Sequence, residues 1–258
     1  MTDHQTSAIT PRGTELGGAP AAGFDAVAMA RRALRRAGTG ALATLDPRSG
    51  FPLTTLVNVA TDVDGSPLFL ASRLALHTRN IEADPRASIL FATLGKGDPM
   101  ANSERLSVAG LAGRCDDANA RRRYLARHPK AGLYIDFPDF FLFRLAVAGV
   151  HPNGGFARAG EITPADVLLD LAGCEALVAE EGALLDVLNA EHQTLLARCA
   201  TGLERAVGRW RATGIDPEGL DLVCGDAATR LLFPERATRA DTVIALLHSL
   251  AAEIAPNG

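Results

Sequence analysis

The residues best equipped for chemistry lie in Ser72–Asn80, SRLALHTRN. Two hydroxyls (Ser72, Thr78), two guanidinium groups (Arg73, Arg79), the His77 imidazole and the Asn80 carboxamide fall in one turn and the first turn of a short helix. N–H groups at a helix start are unpaired and the helix dipole favours an anion. Hydroxyl and guanidinium donors beside them suit a phosphate. The same residues also make an ordinary helix with a polar start, and residue chemistry alone does not choose between the two.

Strands must hold this turn in place. An apolar run, Pro67–Ala71, precedes it, and Ala87–Phe91 follows it as a second strand. The helix between, Thr78–Ala83, stops before Asp84-Pro85, because the residue before proline resists the α region. Upstream, Phe24–Ala37 carries Phe24, Val27, Ala30 and Leu34 at helical spacing. Gly40–Leu45 and Pro52–Thr61 read as strands around the turn Asp46–Gly50, and Val63–Ser66 closes the second of them. Downstream, Leu94–Asn102 reads as a loop, Arg105–Arg114 as a strand, Asp116–His128 as a helix, Phe140–Val150 as a long strand and Phe156–Ala159 as a short one. Six or so strands with hairpin turns predict a small antiparallel barrel.

The pattern changes after Glu161. Thr163 and Pro164 open a helix as cap and first residue. Glu175–Thr201 reads as helical with one interruption near Gly182. Strands at Trp210–Gly214, Leu220–Cys224 and Thr229–Phe233 precede a terminal helix, Thr238–Ile254. The fold class is therefore α+β: an antiparallel barrel over 24–160, then a small α+β domain over 161–258. Residues 1–23, rich in Thr, Gly, Ala and Pro without a hydrophobic period, read as a disordered leader.

The 258 residues suffice for one large or two modest domains, and 47% are hydrophobic against 22% charged. That excludes a disordered composition. A net charge of −4 gives no basic signature of a nucleic-acid partner. The four cysteines (Cys115, Cys174, Cys199, Cys224) form no C-x-x-C pair and read as free thiols in a reducing compartment. The sequence shows no membrane span and no signal-peptide core, so a cytoplasmic protein is expected.

Ser72–Phe91, with Arg105-Leu-Ser-Val-Ala-Gly110 and Asn153-Gly-Gly-Phe-Ala-Arg-Ala159, resembles the FMN-binding split barrels related to pyridoxamine 5′-phosphate oxidase. More narrowly, it resembles their HugZ-type haem-degrading branch. The resemblance spans roughly Phe24 to Ala159. Leu188-Asn-Ala-Glu-His192, Gly214–Leu222 and Leu231-Leu-Phe-Pro234 are similar to the small α/β domain of unknown function that often follows such barrels.

The resemblance implies a homodimeric flavoprotein, an oxidoreductase with FMN at a two-fold interface and a small-molecule substrate. Its flavin contacts map onto Thr55, Asn58, Ser72, Arg73, His77, Thr78, Asn80 and Arg105. Two departures matter. Thr55 stands where the oxidase has an arginine, and His77-Thr78 where it has Arg-Lys. Each lost charge-assisted contact removes about 1.5–3 kcal/mol, so weaker flavin binding is expected. The oxidase's C-terminal Arg-x-His-x-Arg motif is also absent, which argues against pyridoxamine phosphate as substrate.

The same resemblance carries an alternative, haem binding or degradation through a histidine. His77, His128, His151, His192 and His248 are the candidates, with His248 foremost. A third reading is a cofactor-free regulatory module. No residue pattern nominates a catalytic group or a metal-ion site: there is no nucleophile elbow, no dinucleotide fingerprint and no carboxylate pair singled out by spacing.

Overall fold

Asp25 starts the first helix by accepting the Ala28 N–H on Oδ1 at 2.9 Å, a side-chain cap of the kind that satisfies an orphan helix donor. The computed structural model describes residues 8–9, 23–93, 98, 103–155, 158, 160–204 and 208–254. They form two units, Met1–Tyr124 with Lys130–Leu169, and Leu125–Pro129 with Asp170–Gly258.

In the first unit, α1 (Ala26–Arg36) is followed by β1 (Thr39–Leu45), β2 (Pro52–Thr61), β3 (Pro67–Ser72), α2 (Leu76–Ala83), β4 (Arg86–Thr93), β5 (Glu104–Arg114), α3 (Ala118–Arg127, of which the part up to Tyr124 belongs to this unit), β6 (Phe140–Asn153) and α4 (Pro164–Val167). A 3₁₀ turn at Pro129–Leu133 was not foreseen from the sequence. The six strands close into an antiparallel barrel in the order β1-β2-β3-β6-β5-β4. Alternating side chains fill it, as along β1, where every second residue is buried. Leu42, Val59, Phe69, Ile89, Phe91, Leu106, Val108, Phe143 and Leu145 make its core. The α1 face of Met29, Ala30, Ala33 and Leu34 packs into the same cluster.

Charged groups pin the barrel's connections. The buried Arg35 guanidinium donates to Asp62 O (2.9 Å) and Val63 O (2.7 Å) in the β2–β3 turn. Arg123 Nε donates to Thr61 O at 2.8 Å. Thr163 N–H and Oγ1 both donate to Asp166 Oδ2 at 2.7 Å, fixing the start of α4. This helix and the residues up to Leu169 group with the barrel, although the sequence reading put them in the second domain. Leu169 N–H donates to Asp64 O at 2.8 Å, and Arg31 Nε to Asp166 O at 2.8 Å.

The expected leader lies outside the described residues except at Ala8, Ile9 and Gly23. Ala8 N–H donates to Ala148 O of β6 at 3.1 Å. The strand expected at Phe156–Ala159 lies outside them except at Arg158, and most of the Leu94–Asn102 loop does too.

The second unit contains α5 (Glu175–Glu191), α6 (Gln193–Glu204), β7 (Arg211–Asp216), β8 (Gly219–Cys224), β9 (Ala227–Leu232) and α7 (Ala240–Glu253). The three strands form one antiparallel sheet, β7-β8-β9. Its core gathers Leu177, Leu184, Leu185, Leu188, Leu196, Leu220, Leu222 and Leu247 around the fully buried Trp210. The helical interruption falls at His192 rather than near Gly182. Leu177, Leu184, Leu185 and Leu188 are buried on both sides of that glycine, and their packing outweighs its cost of about 1 kcal/mol. All four cysteines are free, Cys174 and Cys199 buried and the other two partly so.

Candidate functional site

β2 and β3 carry the strand side of the site, and the turn after β3 delivers the rest. Ser72 Oγ donates to Asp139 Oδ2 at 2.6 Å and accepts the Leu74 N–H at 3.0 Å. Arg73 N–H donates to Asp139 O at 2.6 Å. These bonds tie the turn to the start of β6, whose Phe140 pairs with Ser72. An open cleft of about 370 Å³ results, lined by Leu56, Val57 and Asn58 of β2, Leu70, Ala71 and Ser72 of β3, Ala75 and His77 at the start of α2, and Tyr124, Tyr134 and Phe140.

The wall is mainly aromatic and aliphatic, and His77 is its basic group. Its Nδ1 lies 3.1 Å from Thr55 Oγ1. Burial pushes the imidazole pKa below its usual 6.5, because a desolvated cation is disfavoured. Burial pushes the Tyr124 phenol up, keeping it protonated. The sign for His77 follows from linkage: below pH 6.5 the unfolded chain binds the extra proton first, so acidification through that window lowers stability, and above it no penalty remains. The His77 ring is therefore expected to titrate below 6.5 in an NMR pH series. A midpoint at or above 6.5 would remove burial as its controlling influence.

At the rim, α2 begins at Ala75 with no side-chain cap and no acidic residue in its first turn. Its first N–H groups are left to whatever anion approaches. Thr78, in that turn, is fully buried, and its Oγ1 has no hydrogen-bond partner. A buried orphan hydroxyl at an uncapped helix start fits the anionic group of a planar cofactor better than it fits a finished structural turn.

Of the eight cofactor-binding candidates, Asn58, Ser72 and His77 line the cleft, and Thr55 joins them through His77. Arg73 sits beside Ser72 with an exposed side chain. Thr78 lies in the first turn of α2. Asn80 is placed otherwise: it is buried and its Nδ2 donates to Thr44 Oγ1 at 3.0 Å, fastening α2 to β1. Arg105 is the second residue of β5 and its Nη2 donates to Asn153 Oδ1 at 2.9 Å, so it braces the β5–β6 end and does not line the cleft. His248 lies in the second unit beside His192. Tyr124, Tyr134 and Phe140 were not foreseen. They come from α3, the segment after it and β6, and no local spacing links them to the Ser72–Asn80 turn.

Asn153 Oδ1 also accepts the Gly155 N–H at 3.0 Å, and Gly155 takes φ 108°. The Asn-Gly-Gly run is thus a turn. No group of three or more His, Cys, Asp or Glu is placed to hold a metal ion among the described residues. No described helix is long and apolar enough to cross a membrane.

Comparison with known proteins converges on this architecture. The protein Atu2129 of Agrobacterium tumefaciens str. C58, of unknown function, is 41% identical, with 94% of this chain and 99% of that chain covered and a TM-score of 0.81. A heme binding protein from Mycobacterium smegmatis is 28% identical, with coverage of 89% and 97% and a TM-score of 0.52. The non-canonical heme oxygenase HOZ, chloroplastic, of Arabidopsis thaliana is 37% identical over 125 residues, 46% of this chain. This chain spans about a third of that relative's length, 37%. The family model described as CREG, beta-barrel matches residues 23–168, the span that builds the barrel and its cleft, and the chain belongs to that family.

Proposed function

We propose that the barrel cleft binds haem, as the substrate of a haem-degrading reaction or as cargo. The observation that carries this reading is the His77 imidazole, held neutral on an aromatic cleft wall with Nδ1 engaged by Thr55. A neutral histidine whose second nitrogen is fixed by a hydrogen bond is what an axial haem ligand requires. The start of α2, with the Thr78 hydroxyl, offers donors for a propionate carboxylate. A monoanion needs less positive charge than a phosphate dianion, and the two arginines and one lysine of the oxidases are replaced here by Thr55 and His77-Thr78. The printed names of two relatives, a heme binding protein and a heme oxygenase, support the same ligand. Bound haem supplies a redox-active iron and an oxidisable ring. The protein's own residues orient it, exclude water from its face and hold its carboxylates.

Exposed Leu56, Leu74, Leu76 and Leu133 are themselves cleft residues or sequence neighbours of them, which supports a homodimer that covers the cleft. A second reading is FMN, an oxidoreductase with an unidentified small-molecule substrate. The orphan Thr78 Oγ1 at the uncapped helix favours it equally, because a flavin phosphate would use the same donors.

Titration of the purified protein with hemin, and separately with FMN, distinguishes them by visible absorption. Haem binding predicts a saturable Soret band at one equivalent per chain. His77→Ala is expected to shift that band and weaken binding at least 10-fold. An unchanged band in His77→Ala would displace His77 as the ligand. Flavin bands without a Soret band would install the FMN reading. No band with either would leave a cofactor-free regulatory module.

A further inference from the structure

We infer that His192 and His248 form a two-histidine site for a divalent first-row transition-metal ion on the second unit, separate from the cleft chemistry. The rings lie 6.0 Å apart between centroids with an interplanar angle of 80°. Metal–imidazole bonds are about 2.0–2.1 Å, so an ion holding both rings at roughly 90–110° sets their centroids about 4.5–5.5 Å apart, within about 1.5 Å of their present separation. Rotating one exposed ring turns the present edge-to-face contact into a chelate. His248 is exposed and His192 partly exposed, which leaves a path for the ion and room for water on the remaining positions.

The backbone under both rings is fixed, as a preformed site needs. Asn189 locks the end of α5 to β7 by accepting Ala212 N–H at 2.8 Å and donating to Ala212 O at 2.9 Å. His192 ends that helix: its N–H donates to Leu188 O at 3.1 Å and its own carbonyl accepts Leu196 N–H at 3.0 Å. On α7, buried Leu246, Leu247 and Ala251 hold the helix against the core, with His248 on the outward side. Asn189 and His192 of the run Leu188–His192, which the barrel chemistry does not use, thus have a joint purpose: one residue fixes the helix end and the other presents a ligand there. Two imidazoles with water select copper, nickel and zinc over calcium or magnesium, with copper favoured by the Irving–Williams order.

The test is calorimetric titration of the full chain with Ni²⁺ and with Zn²⁺ alone. Wild type is expected to show one site, and the metal is expected to raise its melting temperature. His192→Gln and His248→Gln should each weaken binding at least 10-fold and abolish the melting shift. The double variant should be no weaker than either single, because losing one arm already ends chelation. His151→Gln, an exposed barrel histidine, should bind like wild type. Wild-type affinity in both single variants, or loss of the site in His151→Gln, overturns the proposal. Melting curves without metal confirm that the variants fold, since both side chains are solvent-accessible.

Discussion

Alanine at Gly110 is expected to destabilise the protein by about 3–5 kcal/mol, at the extreme of single substitutions and a large share of the roughly 5–15 kcal/mol that holds a domain folded. A Cβ at this position would lie 1.9 Å from Ala146 O and 2.8 Å from Ala146 C. Both are backbone atoms of β6, so no side-chain rotation relieves the clash. The approach arises from a bulge. Ala109 pairs with Gly149 and Gly110 with Val147, leaving Ala148 unopposed. The extra residue bends β6 toward β5 and only glycine fits beneath it. Denaturant unfolding measures the effect. Gly113→Ala, on the same strand with nothing within 4 Å of its added Cβ, is the comparison and should change stability little. A Gly110→Ala protein within 1 kcal/mol of wild type would show that the strands part easily at the bulge.

Arg230→Leu is expected to cost a similar 3–5 kcal/mol, through the second unit, because removing one partner strands a buried charge. Arg230 Nη2 lies 2.7 Å from Asp216 Oδ1 and Nη1 lies 2.8 Å from Asp221 Oδ1. The three side chains are 7%, 0% and 11% exposed. Burial opposes the guanidinium charge, but the two carboxylates together outweigh it and drive the arginine pKa up. Without Arg230, the buried carboxylates of Asp216 on β7 and Asp221 on β8 lose the β9 guanidinium that they share. Arg230→Lys should recover only part of the loss, since one ammonium cannot reach both carboxylates with the planar fork of arginine. Thermal melting followed by circular dichroism separates the three proteins. Equal melting temperatures for wild type and Arg230→Leu would mean that water or protonation replaces the arginine at no cost.

The strands were legible because their signals are local. β2 starts at Pro52 and ends at Thr61, as its alternation and flanking turns require. The turn Asp46–Gly50 appears with Asp46 Oδ1 accepting the Arg48 and Ser49 N–H groups at 3.0 and 2.8 Å, the mechanism that makes aspartate a turn former. What failed was decided by tertiary packing. Gly182 stays helical because leucines on both sides are buried. Packing likewise decides where Asn80 points: it shares a turn with Thr78, and the helix turns it inward to Thr44. The cleft was half legible. Ser72 and His77 could be named from one short motif, whereas Tyr124 and Tyr134 lie some 50–60 residues further along, and no local spacing links them to it.

The pairing of β6 with β3 orders events in time. Ser72 opposes Phe140 and Leu68 opposes Arg144, so the barrel closes by joining segments about 70 residues apart, the kind of non-local contact that forms slowly. A nascent chain ending at Asp139 already holds every cleft residue except Phe140. It still lacks the strand that both β3 and β5 require. The binding surface therefore matures only after the last barrel strand has emerged, and a ligand seated there acts as a latch on completed molecules, drawing late folding intermediates toward the closed state.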